Sequence, residues 1–345
     1  MHVMHNVAIF GAAGYAGLEL VKLLAAHPGV RIACAASDAR AGTPVDELTG
    51  THTGASFVTA QAALATAADV ALLATPPGAA LELAPQLIAR GIRVVDLSNA
   101  HRADARAVYG LTSLFGGELG TATLVANPGC YATAVITALA PLVRHGLVEP
   151  AIAVAAGSGV TGAGRTAEEA MSLGEMYGEV RAYKVLRHQH VPEIEAALAR
   201  VALERRSRED QDDQRGRKPE PALRPRVILT THLLPVARGI FATVTARLRV
   251  AVATEALLAR YRADYAGDPT VTIAASAEHV SLRRVVGTNT CAIGVASEGA
   301  AGGFAVVTAA IDNLLKGAAG QAVENLNAML GLDRMTGLGH LARHA

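Results

Sequence analysis

One cysteine stands where a nucleophile is useful. In Asn127-Pro128-Gly129-Cys130-Tyr131 an apolar strand candidate ends in a Pro-Gly turn, and an apolar helix candidate begins at once. Backbone N–H groups and the dipole at a helix start favour a thiolate. Ligands also bind beyond the carboxyl ends of strands in parallel sheets, where this residue falls. A lone cysteine is more often a packing residue. That reading suits Cys34 and Cys291, each inside an apolar strand candidate.

A thiol nucleophile needs an acid/base partner, and His188-Gln189-His190-Val191-Pro192-Glu193-Ile194 offers two histidines just before a helix. Pro192 suits a first helical turn, and Ile194, Ala197, Leu198 and Val201 form the apolar stripe of that helix. The alternatives are exposed loop residues or metal ligands. No third ligand stands at useful spacing, so no metal is expected.

A third constellation is Gly11-Ala12-Ala13-Gly14-Tyr15-Ala16-Gly17, between the first strand candidate and the first helix. Glycines there let the backbone turn tightly and approach a pyrophosphate, which the helix N–H groups bind. A plain tight turn also uses glycine, but this one opens a full run of alternating strands and helices, which favours a dinucleotide. The end of the second strand candidate, Ser37-Asp38-Ala39-Arg40, carries conflicting cues. Asp38 suits a ribose 2′-hydroxyl, whereas Ser37 and Arg40 suit a 2′-phosphate. A thiol beside a nicotinamide has one chemistry in particular: attack on an activated acyl carbon, then a thioester that accepts hydride.

The elements that must position these residues fall into two textures. Up to residue 130, short apolar runs (Val7–Phe10, Val30–Ser37, Val70–Thr75, Arg93–Leu97, Leu124–Asn127) alternate with helical patterns such as Gly14–His27. Near-continuous apolar strands are covered on both faces, so a doubly wound parallel sheet is expected. Beyond the cysteine, a helix over Tyr131–Val143 precedes longer strand candidates: Ala151–Gly157, Val227–Leu234, Phe241–Val250, Val271–Ala275, Cys291–Ala296 and Ala305–Ala309. Few helices separate them, which predicts an α+β domain with a mixed or antiparallel sheet. Asp312–Leu330 reads as a closing helix. The charged, proline-bearing stretch Glu204–Arg226 reads as a solvated loop.

Bulk properties exclude several classes. The 345 residues are ample for two cores, and 51% hydrophobic against 18% charged residues indicates a globular chain. A net charge of +1 leaves no electrostatic footprint for nucleic acid or an anionic membrane. Three cysteines form no disulfide framework, no apolar run reaches spanning length, and the first residues lack a signal-peptide pattern. A cytoplasmic protein is expected.

The chain resembles the N-acetyl-gamma-glutamyl-phosphate reductases, relatives of aspartate-semialdehyde dehydrogenase. The resemblance runs over nearly the whole length, through GAAGYAGLEL (Gly11–Leu20), VVDLS (Val94–Ser98), VYGL (Val108–Leu111), ANPGCY (Ala126–Tyr131), GSGVTGAGR (Gly157–Arg165), HQHVPEI (His188–Ile194), HLLPVARGI (His232–Ile240) and AIDNLLKGAAGQAVENLN (Ala310–Asn327). It implies NADPH-linked reductive dephosphorylation of N-acetyl-L-glutamyl 5-phosphate, with Cys130 as nucleophile and His190 as acid/base. His188 is the lesser candidate. It further implies that Glu193 orients substrate or histidine, and that Arg102, Asn127 and Arg238 lie on the substrate side. The cofactor would be held by Gly11, Ala13, Gly14, Tyr15, Ala16, Gly17, Ser37, Arg40, Ser158, Gly159 and Asn313. Residues 1–129 with a returning segment 312–345 would form the NADP-binding domain. Residues 130–311 would form the catalytic and dimerisation domain of a homodimer or homotetramer.

This chain departs from the family in places. Ala13 stands where Ser or Thr is usual, removing a hydroxyl contact to phosphate, and Asn99-Ala100-His101-Arg102 replaces Ala-Asp-Phe-Arg. N-acetyl-aminoadipyl phosphate and aspartyl phosphate remain alternative substrates. A Cys/His hydrolase or acyltransferase, and a nucleotide-sensing module, are readings from other classes.

Overall fold

The computed structural model describes residues 4–165, 169–212 and 224–341. Six parallel strands form the first sheet: β1 (His5–Phe10), β2 (Val30–Ala36), β3 (Val70–Leu73), β4 (Arg93–Asp96), β5 (Val108–Tyr109) and β6 (Leu124–Ala126), in the order β2-β1-β3-β4-β6-β5. Side chains alternate between its two faces, as strand geometry requires. Val7 and Ile9 pack into one core, Ala8 and Phe10 into another. The helices Ala60–Ala65 and Pro77–Ala89 cover the second face. The first face is covered by the helix Tyr15–Ala25 and by the closing helix Gly320–Leu330, whose Val323, Leu326 and Met329 join that core.

The second sheet is mixed. Its strands are β7 (Val148–Ser158), β8 (Arg181–Tyr183), β9 (Arg226–Leu233), β10 (Ile240–Leu248), β11 (Val271–Ile273), β12 (Cys291–Ser297) and β13 (Phe304–Ile311), in the order β11-β12-β13-β10-β7-β9-β8. Pairs β7/β9 and β11/β12 are parallel and the rest antiparallel. One face packs on the helices Cys130–Arg144, His190–Asp212 and Thr254–Asp264. The opposite face presents Ala151, Ala153, Ala155, Ile228 and Phe304, all exposed.

The expected strands are present with small shifts at their ends. Two expectations are corrected. Asp312–Leu330 is not one continuous helix: Asp312 accepts the N–H groups of Leu314 and Leu315 at 2.8 and 3.1 Å, a single π turn spans Leu315–Ala319, and only then does the α-helix begin. The charged stretch is not a loop from Glu204 onward, because the helix from His190 continues to Asp212; residues 213–223 lie outside the described residues.

Candidate active site

β6 ends at Ala126, and three residues separate it from Cys130, which opens its helix with Gly129 as the cap residue and no side-chain cap. Asn127 holds this turn. Its side chain is fully buried, its Oδ1 accepts from Asn325 Nδ2 at 2.9 Å, and its Nδ2 donates to Ala318 O at 3.3 Å. With both ends of the amide hydrogen-bonded to protein, Asn127 holds the turn in front of Cys130.

His190 is brought to the same place. A Cβ on Gly129 would run into His190 Nε2 and would lie 2.6 Å from Arg102 Nη1, so imidazole and guanidinium both press on the bare Cα beside the nucleophile. The other ring nitrogen, Nδ1, is buried without a partner. His188 Nδ1 accepts the His190 backbone N–H at 3.2 Å, and the two rings meet edge to face with centroids 4.8 Å apart. His188 thus supports His190 and sits one step from the sulfur side, as the lesser candidate.

Glu193 joins these pieces. Its Oε1 accepts the Gly129 N–H at 2.9 Å and the Tyr109 hydroxyl at 2.7 Å, while Oε2 pairs with Arg102 Nη1 at 3.1 Å. Arg102 also donates from Nε to Asn127 O and from Nη2 to Leu97 O, each at 3.1 Å. Three of its five donors are therefore committed to protein, and they tie Leu97, Asn127 and Glu193 together. Tyr109 is a site residue that its type did not announce, although it stands inside the VYGL motif.

The electrostatics correct another expectation. Burial pushes the Cys130 thiol up to about 11, although the Arg102 guanidinium and the Tyr131 N–H pull the other way. The helix start is too weak to offset the lost hydration, so in the free protein the sulfur is a thiol. Burial likewise holds His190 well below the usual histidine range and His188 down to about 4, both neutral near pH 7. With the thiol raised and the imidazole lowered, the proton rests on the sulfur in the free protein, and its transfer to His190 is uphill there.

The glycine turn shows three distinct needs. Gly11 has φ +72°, and a Cβ there would overlap Ala74 O; a Cβ on Gly17 would overlap Gly11 O. Both serve close backbone approach. Gly14 has only Gly11 O within reach, at 3.4 Å, and the helix it opens has no side-chain cap and no acidic residue in its first turn. That arrangement suits an anionic pyrophosphate and fits a dinucleotide. Ala13 lies half-buried on the turn with Tyr15 and Ala16, and its carbonyl accepts from Arg165 Nη1 at 2.8 Å, a contact the sequence did not signal. At the end of β2, Asp38 Oδ1 is taken by the Ala60 N–H at 2.8 Å, while Arg40 is exposed and Ser37 half-buried.

Across the junction, Ser158 and Asn313 are buried, and Asn313 ties Gly239 N–H (2.7 Å) to Thr161 Oγ1 (3.0 Å). A Cβ on Gly159 would lie 2.7 Å from Arg238 N, so these loops touch. The Arg238 guanidinium approaches Asp312 at 3.3 Å and Glu19 at 3.5 Å, yet its buried Nη2 has no hydrogen-bond partner. An unmatched buried donor of this kind suits an anionic ligand group.

Among the described residues no group of three or more His, Cys, Asp or Glu stands close enough to hold a metal ion, and no helix is long and apolar enough to cross a membrane.

Comparison with known proteins shows the same division. Residues 6–122 match the model for the semialdehyde dehydrogenase NAD binding domain, and residues 130–313 the model for the semialdehyde dehydrogenase dimerisation domain. An N-acetyl-gamma-glutamyl-phosphate reductase of Bacillus cereus (strain AH187) is 36% identical, covering 97% of this chain and 99% of the relative. One from Geobacillus kaustophilus is 37% identical, covering 96% and 98%. Among solved structures, aspartate semialdehyde dehydrogenase II from Vibrio cholerae superposes with a TM-score of 0.74 at 17% identity, over 95% of this chain and 99% of that one. The Candida albicans aspartate semialdehyde dehydrogenase solved with NADP gives 0.68 at 15% identity, over 95% and 98%. At these identities the structures speak for the fold.

Proposed function

The chain belongs to the semialdehyde dehydrogenase family, and within it we propose that it reduces N-acetyl-L-glutamyl 5-phosphate to N-acetyl-L-glutamate 5-semialdehyde, a step of arginine biosynthesis, through a thioester on Cys130. The observation that carries this reading is the contact of His190 with the bare Cα of Gly129, which sets an imidazole beside the nucleophile in a chain so close to reductases of that name.

Cys130 Sγ attacks the acyl carbon while His190 takes the thiol proton and passes it to the departing phosphate. The sulfur then holds the acyl group as a thioester. N–H groups at the helix start, of which that of Tyr131 already donates toward the sulfur, stand where charge develops on the carbonyl oxygen. A reduced nicotinamide, when bound, supplies the hydride. Aldehyde leaves as the C–S bond breaks, and His190 returns a solvent proton to the sulfur. One proton is consumed per turnover. Glu193 and Arg102 keep the nucleophile turn and the imidazole in register, and Arg238 with its unmatched Nη2 takes an anionic group of the substrate.

The cofactor is assigned as NADPH. Asp38 Oδ1 already accepts the Ala60 N–H, while Ser37 and Arg40 stand at the same strand end, where they suit a 2′-phosphate. Residues 1–129 with 312–345 act as the cofactor domain and 130–311 as the catalytic domain; the packing of the closing helix on the first sheet supports this division. The open face of the second sheet, with Ile228 at 44% and Phe304 at 43% exposure, supports a homodimer.

The test runs the reaction backwards. N-acetylglutamate semialdehyde, phosphate and oxidised cofactor are supplied with NADP and with NAD in parallel, beside the aminoadipate and aspartate semialdehydes. Reduction of NADP, dependent on phosphate and fastest with N-acetylglutamate semialdehyde, is the expected result. No reduction with any of the three contradicts the proposal.

A further inference from the structure

Lys316 is the largest charged side chain with no exposure at all, and the chemistry above makes no use of it. It sits in the π turn Leu315–Ala319, where Gly317 N–H bonds back to Asp312 O at 2.9 Å and Ala319 N–H to Leu314 O at 2.8 Å. Single π turns inside helices mark functional sites, because the extra residue redirects the side chains around it. Here it turns Lys316 inward, where Nζ meets Glu324 Oε1 at 2.7 Å and Thr270 Oγ1 at 2.9 Å.

A buried ion pair of this kind is poor evidence of stabilisation, since well-packed apolar side chains usually do as well. Glu324 is held by other partners too: Arg334 Nε reaches its Oε2 at 2.6 Å, and Asn289 Nδ2 donates to its Oε1 at 2.8 Å. Geometry gives the lysine its purpose. A Cβ on Gly317 would lie 2.8 Å from Cys130 Cβ, so the π turn is the wall behind the nucleophile. The next carbonyl, of Ala318, accepts from Asn127 Nδ2 at 3.3 Å, and Asn325, one residue past Glu324, donates to Asn127 Oδ1 at 2.9 Å. Thr270 lies just before β11 of the second sheet, whereas Leu315 and Ala319 belong to the core of the first. Lys316 therefore fastens the wall behind Cys130 to both halves of the molecule.

We propose that Lys316, paired with Glu324, is a positioning residue for the nucleophile: it fixes the π turn whose Gly317 and Ala318 hold Cys130 and Asn127 in place. The proposal rests on Cys130 being the nucleophile. Displacement of a reacting group by about 1 Å costs around a hundredfold in rate.

The experiment compares wild type, Lys316→Met and Cys130→Ser as the full chain. In Lys316→Met, kcat is expected to fall at least tenfold with KM and NADPH affinity within about threefold, as expected when an interaction made only in the transition state is lost. Alkylation of Cys130 by iodoacetamide in the free protein is expected to quicken at least threefold, because the wall behind the sulfur has loosened. Slower turnover and a faster-reacting thiol, with NADPH affinity and the urea unfolding midpoint kept near wild type, separate a misplaced sulfur from general loosening of the fold. Unchanged kcat overturns the proposal, and so does a fall in kcat matched by lost cofactor binding or by unchanged alkylation. If Lys316→Met does not fold, Thr270→Val removes the second-sheet anchor of Lys316, along with the hydroxyl's contacts to Arg334 and Asp268, and is read by the same assays, with the same two outcomes. Should Cys130→Ser retain turnover, the nucleophile assignment itself fails, which is a distinguishable result.

Discussion

The imidazole of His190 rests on the Cα of Gly129, in the space that any other residue would fill with its side chain. Gly129 has φ −71° and ψ 153°, a conformation open to every amino acid, so the backbone does not demand glycine. The demand comes from contact. Chemistry needs the ring close to the sulfur, and the missing side chain lets it approach.

Gly129→Ala therefore separates geometry from folding. The methyl group must displace His190 and Arg102, and kcat is expected to drop about a hundredfold, the scale set by misplacing a reacting group by about 1 Å. NADPH affinity, measured by fluorescence titration, should stay within about twofold, because the glycine turn at residues 11–17 is untouched. Equal losses in both quantities would show that the substitution acts on the fold.

Glu193→Gln keeps the shape of the side chain and removes the charge that answers Arg102. The side chains of the pair are 4% and 9% exposed, so an uncompensated guanidinium is left in a dry site. A loss of about 3 kcal/mol in folding stability is expected. Urea unfolding with and without the substitution measures it. Turnover should fall as well, by at least tenfold, since the Gly129 N–H and the Tyr109 hydroxyl lose a charged acceptor.

Burial sets two pH profiles. With the Cys130 thiol pushed up to about 11, its alkylation rate in the free protein should climb steadily beyond pH 9; a plateau near neutrality would mean a resting thiolate. For stability the group to watch is His188, held down to about 4 in the fold against 6.5 as its ordinary value. Between those limits the unfolded chain binds a proton that the folded chain refuses. The stability this gives is full above pH 6.5 and is lost as pH falls through that window toward 4. Thermal midpoints between pH 4 and 7 should show the decline. His188→Asn, whose Oδ1 can still accept the His190 N–H, should flatten part of it.

Cofactor preference should reside in Arg40. Arg40→Ala is expected to raise the KM for NADPH about tenfold and to leave that for NADH within about twofold, because only the former carries the 2′-phosphate. Equal effects on the two would place the phosphate elsewhere.

How far the sequence reveals the fold depends on the length and period of each signal. The strands β1 to β4 stand out because apolar runs flanked by glycine or charge leave few alternatives. β5 and β8, of two and three residues with none of them fully buried, carry no period to detect. The π turn is hidden for a related reason: an inserted residue leaves Leu314, Leu315, Ala318, Val323, Leu326 and Met329 apolar, and the same stripe reads as one helix. Lys316 and Glu324 then look like its solvated side. In the site, residue types point to Cys130 and to two histidines, the family resemblance adds the choice of His190 and the role of Glu193, and the fold brings these three together. They give no warning that Asn127 and Arg102 spend their polar groups on the protein, since hydrogen-bond partners as distant as Asn325 are set by tertiary packing alone. The expected thiolate fails on magnitude, for desolvation at this depth exceeds what one helix start provides.

The closing helix has a consequence for how the molecule is made. Val7, Leu20 and Val125 share their core with Val323, Leu326, Met329 and Leu338. A ribosome emits the first six strands long before it emits the residues that cover them. The half of the protein made first thus cannot seal its own interior until residues 315–338 have emerged, and a nascent chain stalled before them would carry a bare apolar groove for chaperones to guard.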